Sequence, residues 1–122
     1  MTEIQTVVLL LALFGIKHFI CDFLLQFGYM LGQKGTYGAE GGIHHAALHG
    51  SFTFLILSWC FPMAIWAGFL DFVAHYHIDW CKQQLNRDLS ITDRMFWVWF
   101  GADQALHYLT YIAIIGWVVG AY

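Results

Sequence analysis

Four pairs of potential metal ligands recur along the chain at one spacing: His18 with Asp22, His45 with His49, His75 with Asp79, and Asp103 with His107. In an α-helix, residues four apart lie on one face, so each pair can close on one ion or on two neighbouring ions. Five imidazoles, three carboxylates and no thiolate make a borderline-to-hard donor set. Such a set suits zinc, iron or manganese and suits copper(I) poorly. Eight donors exceed what one tetrahedral zinc ion uses. The pattern therefore predicts two divalent transition-metal ions, zinc first among them, with Asp22 or Asp79 bridging and one position open to water. Gln26, one turn beyond Asp22, and Gln104, beside Asp103, are expected to orient ligands through hydrogen bonds. Lys82, one turn past Asp79, can meet an anionic substrate; a lysine at a helix end can equally snorkel to the membrane surface. Asp71 continues the stripe of His75 and Asp79, as a spare ligand or as a polar group of the other half. His44 and His77 stand off the stripes and are read as hydrogen-bonding groups between helices.

The elements that must carry these pairs follow from composition. The 122 residues are 60% hydrophobic and only 11% charged, with a single proline, which is far from a water-soluble domain. A membrane-crossing helix takes about 20 apolar residues. The sequence accommodates four such spans, at about residues 4–27, 43–60, 62–84 and 92–120. The expected fold is all-α, a polytopic membrane protein forming a four-helix transmembrane bundle as one domain over residues 1–122. Between the first two spans, the stretch from Gly28 to Gly42 contains six glycines and reads as a loop. Pro62 makes a tight hairpin between the second and third spans. Asn86 to Ser90 form the second polar loop, with Ser90 or Thr92 as N-cap of the last helix and Asp93 in its first turn.

Basic residues set the orientation. Lys34, Lys82, Arg87 and Arg94 lie in or beside the two longer loops, and the Pro62 turn and both termini have none. The positive-inside bias then puts those loops in the cytoplasm and both termini outside. Six of the eight paired residues fall near the cytoplasmic face, and Asp103 and His107 count as somewhat deeper. An Asp at mid-span costs about 2.5–3.5 kcal/mol on insertion scales, whereas structural zinc sites return about 10–16 kcal/mol in small peptides. A metal is thus sufficient to offset three buried carboxylates, with salt bridges to Lys17 and Lys82 as a partial alternative.

Other classes are disfavoured. Five basic residues and a net charge of −3 offer no nucleic-acid surface. Cys21, Cys60 and Cys81 are odd in number and far apart, so they read as small apolar residues rather than disulfides or zinc thiolates. No cleavable signal peptide is expected, since no basic residue precedes the first apolar run. Trp97, Trp99, Trp117 and Tyr122 read as interfacial anchors, and Arg87, Asp88 and Asp93 as a solvated turn.

The strings from His18 to Gln26 (HFICDFLLQ), His45 to His49 (HAALH), His75 to Lys82 (HYHIDWCK) and Asp103 to His107 (DQALH) resemble a family of small bacterial and phage membrane proteins classed only as a domain of unknown function. That resemblance spans nearly the whole chain and implies the four-span fold and a shared polar site, without an activity; the expected location is the bacterial inner membrane. A looser resemblance, through the His-x-x-x-Asp pattern, is to membrane-bound metal-dependent hydrolases and to helical zinc-dependent phospholipase C and P1-type nucleases. The chain departs from the latter in having its pairs in apolar spans and no N-terminal tryptophan ligand.

The expected function is a membrane-embedded dinuclear metal-dependent hydrolase acting on a phosphoester or lipid-like substrate at the cytoplasmic face, with Asp22, Asp79 and Lys82 as the catalytic candidates. The bilayer is the expected partner, and a homo-oligomer is compatible with the sequence. Two alternatives use the same residues: a proton or metal-ion transporter or channel, and a di-iron membrane oxidoreductase.

Overall fold

In a computed structural model that describes residues 1–122, the only regular elements are helices, four long and one short, with single π and 3₁₀ turns. Helix α1 covers Glu3–Phe19 and continues through a π turn at Ile20–Leu24. A capping box fixes its start, because the Thr2 hydroxyl accepts from the Gln5 amide and the Gln5 side chain accepts from the Thr2 amide. Helix α2 (Gly28–Gln33) is short and leads to α3 (Glu40–Cys60). Phe61 leaves the helical conformation and Pro62, which has no N–H to continue a ladder, opens a single 3₁₀ turn at Pro62–Ala64. Helix α4 (Ala67–Asn86) and α5 (Arg94–Ala121) complete the bundle.

Several boundaries differ from the expected ones. The first apolar helix ends at Leu24 rather than near residue 27. The glycine-rich stretch is not simply a loop, for it contains α2 and the first turn of α3; Gly38, at φ 84°, supplies the left-handed turn between them. The third long helix begins at Ala67, with the 3₁₀ turn before it. Asp93, not Ser90 or Thr92, occupies the N-cap position of α5, and its carboxylate accepts from the Ser90 amide instead of capping the helix.

Each long helix turns one stripe inward, and the stripes change character along the bundle. Toward the end that holds the α3–α4 turn and both termini, the centre is apolar: Leu10, Phe14, Leu57, Ala67, Ile114, Ile115 and Val118 form one cluster. Toward the other end the same stripes continue as Lys17 and His18, His49 and His45, His75 and Asp79, and His107 and Asp103. Of 28 buried residues, 11 are polar or charged, while Phe23, Leu55, Trp59, Phe69 and Trp117 lie exposed on the outside. Polar inside and apolar outside inverts the usual arrangement of a helix in water.

Helices α3 and α4 make the most extensive contact. It depends on two glycines: a Cβ at Gly50 would stand 2.6 Å from the Gly68 carbonyl oxygen, and one at Gly68 would stand 2.8 Å from the Gly50 carbonyl oxygen. Such small-residue crossings let backbones approach closely. Two elements, Glu3–Leu24 and Arg94–Ala121, are long and apolar enough to cross a membrane, a weak sign of membrane association. Helices α3 and α4 are long enough but not apolar enough, since their inward stripes are His, Asp and Gly.

Candidate metal centre

All eight paired residues converge on one buried cluster between α1, α3, α4 and α5. The four-residue spacing does this directly on α3, α4 and α5. On α1 it has help, because Asp22 lies inside the π turn, whose wider ring rotates the backbone after Phe19. Asp103 and His107 are not displaced in depth from the rest: His107 Nε2 lies 3.2 Å from Asp79 Oδ1 and 3.5 Å from Asp103 Oδ1.

Two groups of donors can be distinguished. Asp22, His45, His49 and His75 form one and His75, Asp79 and His107 the other; within each, one donor atom from every residue lies within 4.8 Å of the others. These buried groups could hold a metal ion. Asp22 gathers the first, with Oδ1 2.9 Å from His49 Nε2 and 3.2 Å from His45 Nε2, and Oδ2 3.1 Å from His18 Nε2. Asp79 faces both, with Oδ2 3.5 Å from the Nε2 atoms of His45 and His75 and Oδ1 toward His107. His75 stands between His49 and His107 as the middle of a stack, with ring centroids 3.6 Å and 3.9 Å away.

The hydrogen-bond inventory of this cluster is incomplete. Both ring nitrogens of His45 and of His75 are buried without a hydrogen-bond partner, as is Asp103 Oδ1, while Asp79 Oδ2 has the Lys34 ammonium as its ion-pair partner at 2.9 Å. Native interiors leave few such atoms, and each unmade bond costs roughly 1–3 kcal/mol. Nitrogen and oxygen donors clustered with spare lone pairs are what a divalent cation satisfies.

Outer groups hold several donors in place. Gln104 bridges two of them, its Nε2 donating to Asp103 Oδ2 at 3.0 Å and its Oε1 lying 2.9 Å from His18 Nε2. Gln26 does not act as expected: it donates to the Asp22 main-chain carbonyl at 3.0 Å, and its own Oε1 is buried without a partner. The Tyr111 hydroxyl lies 2.8 Å from His18 Nδ1 and 3.4 Å from His49 Nδ1, an orienting group that the sequence pattern did not single out. Its position is legible afterwards, one turn beyond His107 on the same stripe of α5.

Lysines flank the cluster on both sides. On the apolar side, Lys17 pairs with Asp71 and donates to the His49 carbonyl at 3.1 Å, with Thr53 donating to the same Asp71 oxygen at 2.6 Å. Asp71 is therefore no ligand of the cluster but the acceptor of a separate buried pair. On the loop side, Lys34 is buried, with Nζ 2.9 Å from Asp79 Oδ2, a contact that its place in the glycine-rich stretch does not predict. Lys82 Nζ lies 3.8 Å from Asp103 Oδ2. His44 and His77 are exposed and face the hydroxyls of Tyr29 and Tyr37 at 3.2 Å and 2.9 Å, outside the cluster. The three cysteines are free, with Cys21 buried.

The family model described as "Protein of unknown function (DUF3307)" matches residues 9–121, a range that contains every residue of the cluster. The chain belongs to that family. Neither curated proteins nor solved structures yield a match, so the looser likeness to metal-dependent hydrolases rests on the His-x-x-x-Asp pattern alone.

Proposed function

We propose that this chain is a membrane-embedded protein that binds two divalent transition-metal ions and uses them to hydrolyse a phosphoester at the loop-side face of the bilayer. The observation that carries the reading is the pair of buried donor groups meeting at His75, with unpartnered nitrogens on His45 and His75. His18, Asp22, His45 and His49 would hold one ion and Asp103, His107 and His75 the other, with Asp79, which faces histidines of both groups, as the bridge. Bound divalent ions supply Lewis acidity and a nucleophilic water at neutral pH. Tyr111, at His49 Nδ1, keeps His49 Nε2 aimed inward, whereas His18 has Gln104 and Tyr111 at its two ring nitrogens and would join an ion on releasing Gln104. The donor set favours zinc, with iron or manganese as substitutes.

Four crossings of an inner membrane, with both termini outside, agree with the inverted distribution of polarity. His45, His49, Asp71, His75 and Asp79 lower the apolar character of α3 and α4 from their inward stripes, together with His44, His77 and the polar residues Lys82 to Asn86 that end α4, while Leu55, Trp59, Phe69 and Leu70 face outward. A transporter would need a polar path through both halves, and the apolar cluster around Leu10, Phe14, Leu57 and Ile114 gives it none.

Elemental analysis of the detergent-purified chain beside a His45→Ala, His49→Ala double variant tests the metal. About two ions per wild-type chain and at most one in the variant are expected. Wild type without stoichiometric metal, and no difference in the variant, would sink the reading in favour of a proton pathway. Iron with a visible absorption band would turn the chemistry toward oxidation; zinc, together with release of p-nitrophenolate from a p-nitrophenyl phosphoester, would support hydrolysis.

A further inference from the structure

On the loop side of the cluster lies a cavity of about 130 Å³, walled by Lys34, Lys82, Gln26 and Gln104 and floored by the cluster carboxylates Asp22, Asp79 and Asp103. We infer that this cavity is an anion subsite that receives the terminal phosphoryl group of a lipid phosphate, with Lys34 and Lys82 as its two cationic walls. The inference rests on the metal reading above and adds to it a place and a chemical class for the substrate.

Charge is the first argument. Asp22, Asp79 and Asp103 face the cluster with three negative charges, and Lys34 and Lys82 return two, while Lys17 and Asp71 cancel one another. With every imidazole counted as neutral, as a metal ligand must be, the site before the ions are added is short by one positive charge. Two divalent ions turn that deficit into an excess of three, and even one ion leaves an excess of one. Buried uncompensated charge is costly. A phosphoryl dianion, drawn in beside the ions, removes most of it.

Geometry is the second. Lys34 now spends its ammonium on Asp79 Oδ2, an atom the metal reading gives to an ion. Once that carboxylate is engaged elsewhere, a buried ammonium at the cavity wall needs a new acceptor. Lys82 is held only loosely, at 3.8 Å from Asp103 Oδ2, and Gln104 already donates to that oxygen at 3.0 Å. Lysine binds phosphate as a compact point charge, and charge-assisted bonds of this kind are roughly twice as strong as neutral ones.

Size and surroundings select the class. The cavity holds about four waters' worth of space, enough for a phosphoryl group. Its rim includes Phe23 and Leu31, both more than half exposed, an apolar edge that suits an acyl chain rather than a soluble alcohol.

Titration calorimetry on the metal-loaded full chain in detergent tests this, with inorganic phosphate and dodecyl phosphate as probes. Both are expected to bind, dodecyl phosphate more tightly, and chelator-stripped protein is expected to bind either about tenfold or more weakly. Lys82→Met and Lys34→Met should each weaken binding by a similar factor with metal content unchanged, and Lys82→Arg should restore most of it. Should Lys34→Met fail to fold, Lys82→Met and Lys82→Glu decide the matter. A chain that takes up no metal overturns both readings. A chain that takes up metal but binds neither probe, or binds them equally well in the Lys82 variants, overturns this one alone. Equal affinity for the two probes overturns the lipid assignment and leaves free phosphate as the ligand.

Discussion

Lys17 reaches across the bundle to Asp71, and both are about 1% exposed, so neither has water to fall back on. Breaking one partner of such a pair leaves a stranded charge and costs about 3–5 kcal/mol, whereas replacing both with apolar residues is far milder. Lys17→Met and Asp71→Asn are each expected to lower unfolding stability in detergent by about that amount, and Lys17→Met with Asp71→Leu by clearly less. A double-mutant cycle on thermal or denaturant unfolding measures the coupling; additive losses would show that the pair is not an energetic unit. Tyr111→Phe addresses the cluster itself. It removes only the hydroxyl that faces His18 and His49, so metal affinity should fall roughly 10- to 100-fold with the helical content unchanged. Competition with a chromogenic chelator reads the loss. At this scale the four His and Asp pairs that the bundle brings together were legible, because spacing on one helix suffices to find them. Tyr111, Lys34 and the Lys17–Asp71 partnership were not, because each acts on a residue of another helix, and no local pattern records which helices meet.

The helices themselves were largely visible, since long apolar runs bounded by glycine, proline and polar residues leave few other choices. Their junctions were not. The π turn at Ile20–Leu24 and the short helix α2 arise from packing rather than from propensity: Met30 of α2 is buried, and the Gln33 side chain accepts from the Gly41 amide at 2.7 Å, tying α2 to the start of α3. The α3–α4 crossing likewise depends on contacts that a single stretch of sequence does not reveal. Gly50 and Gly68 sit where each backbone meets the other, one residue after His49 and one turn before Phe72 respectively. Gly50→Ala and Gly68→Ala are expected to cost about 1–3 kcal/mol each, because the added methyl has no space and the helices must part. Parting them also separates His49 from His75, so metal content should fall together with stability. Gly15→Ala and Gly116→Ala provide the control, since an added Cβ meets nothing there, and a gain of about 0.5–1 kcal/mol in helix stability is expected. Equal effects at all four glycines would remove the crossing from its role in positioning the site.

Taken as a whole, the bundle is closed at one end and chemically open at the other. The apolar cluster fills the half that holds the termini and the α3–α4 turn, where the Tyr122 hydroxyl approaches the Met63 carbonyl at 3.5 Å and Trp66 packs on Trp117. The donor cluster and its lysines fill the half that holds the two longer loops. If all four long helices cross the bilayer, these two ends face opposite compartments, and the site is reached from the loop side alone. Single cysteines test this on a background in which Cys21, Cys60 and Cys81 are replaced by alanine. Met63→Cys marks the α3–α4 turn and Ser90→Cys the α4–α5 loop, both exposed positions. A membrane-impermeant maleimide added to intact cells is expected to label Met63→Cys at once and Ser90→Cys only after permeabilisation, as the placement of Lys34, Arg87 and Arg94 requires. Labelling of both from one side would mean that α3 and α4 do not cross as separate spans. The inward histidines and aspartates would then need a different shelter from water, because the apolar outer faces of those two helices would have no lipid to meet.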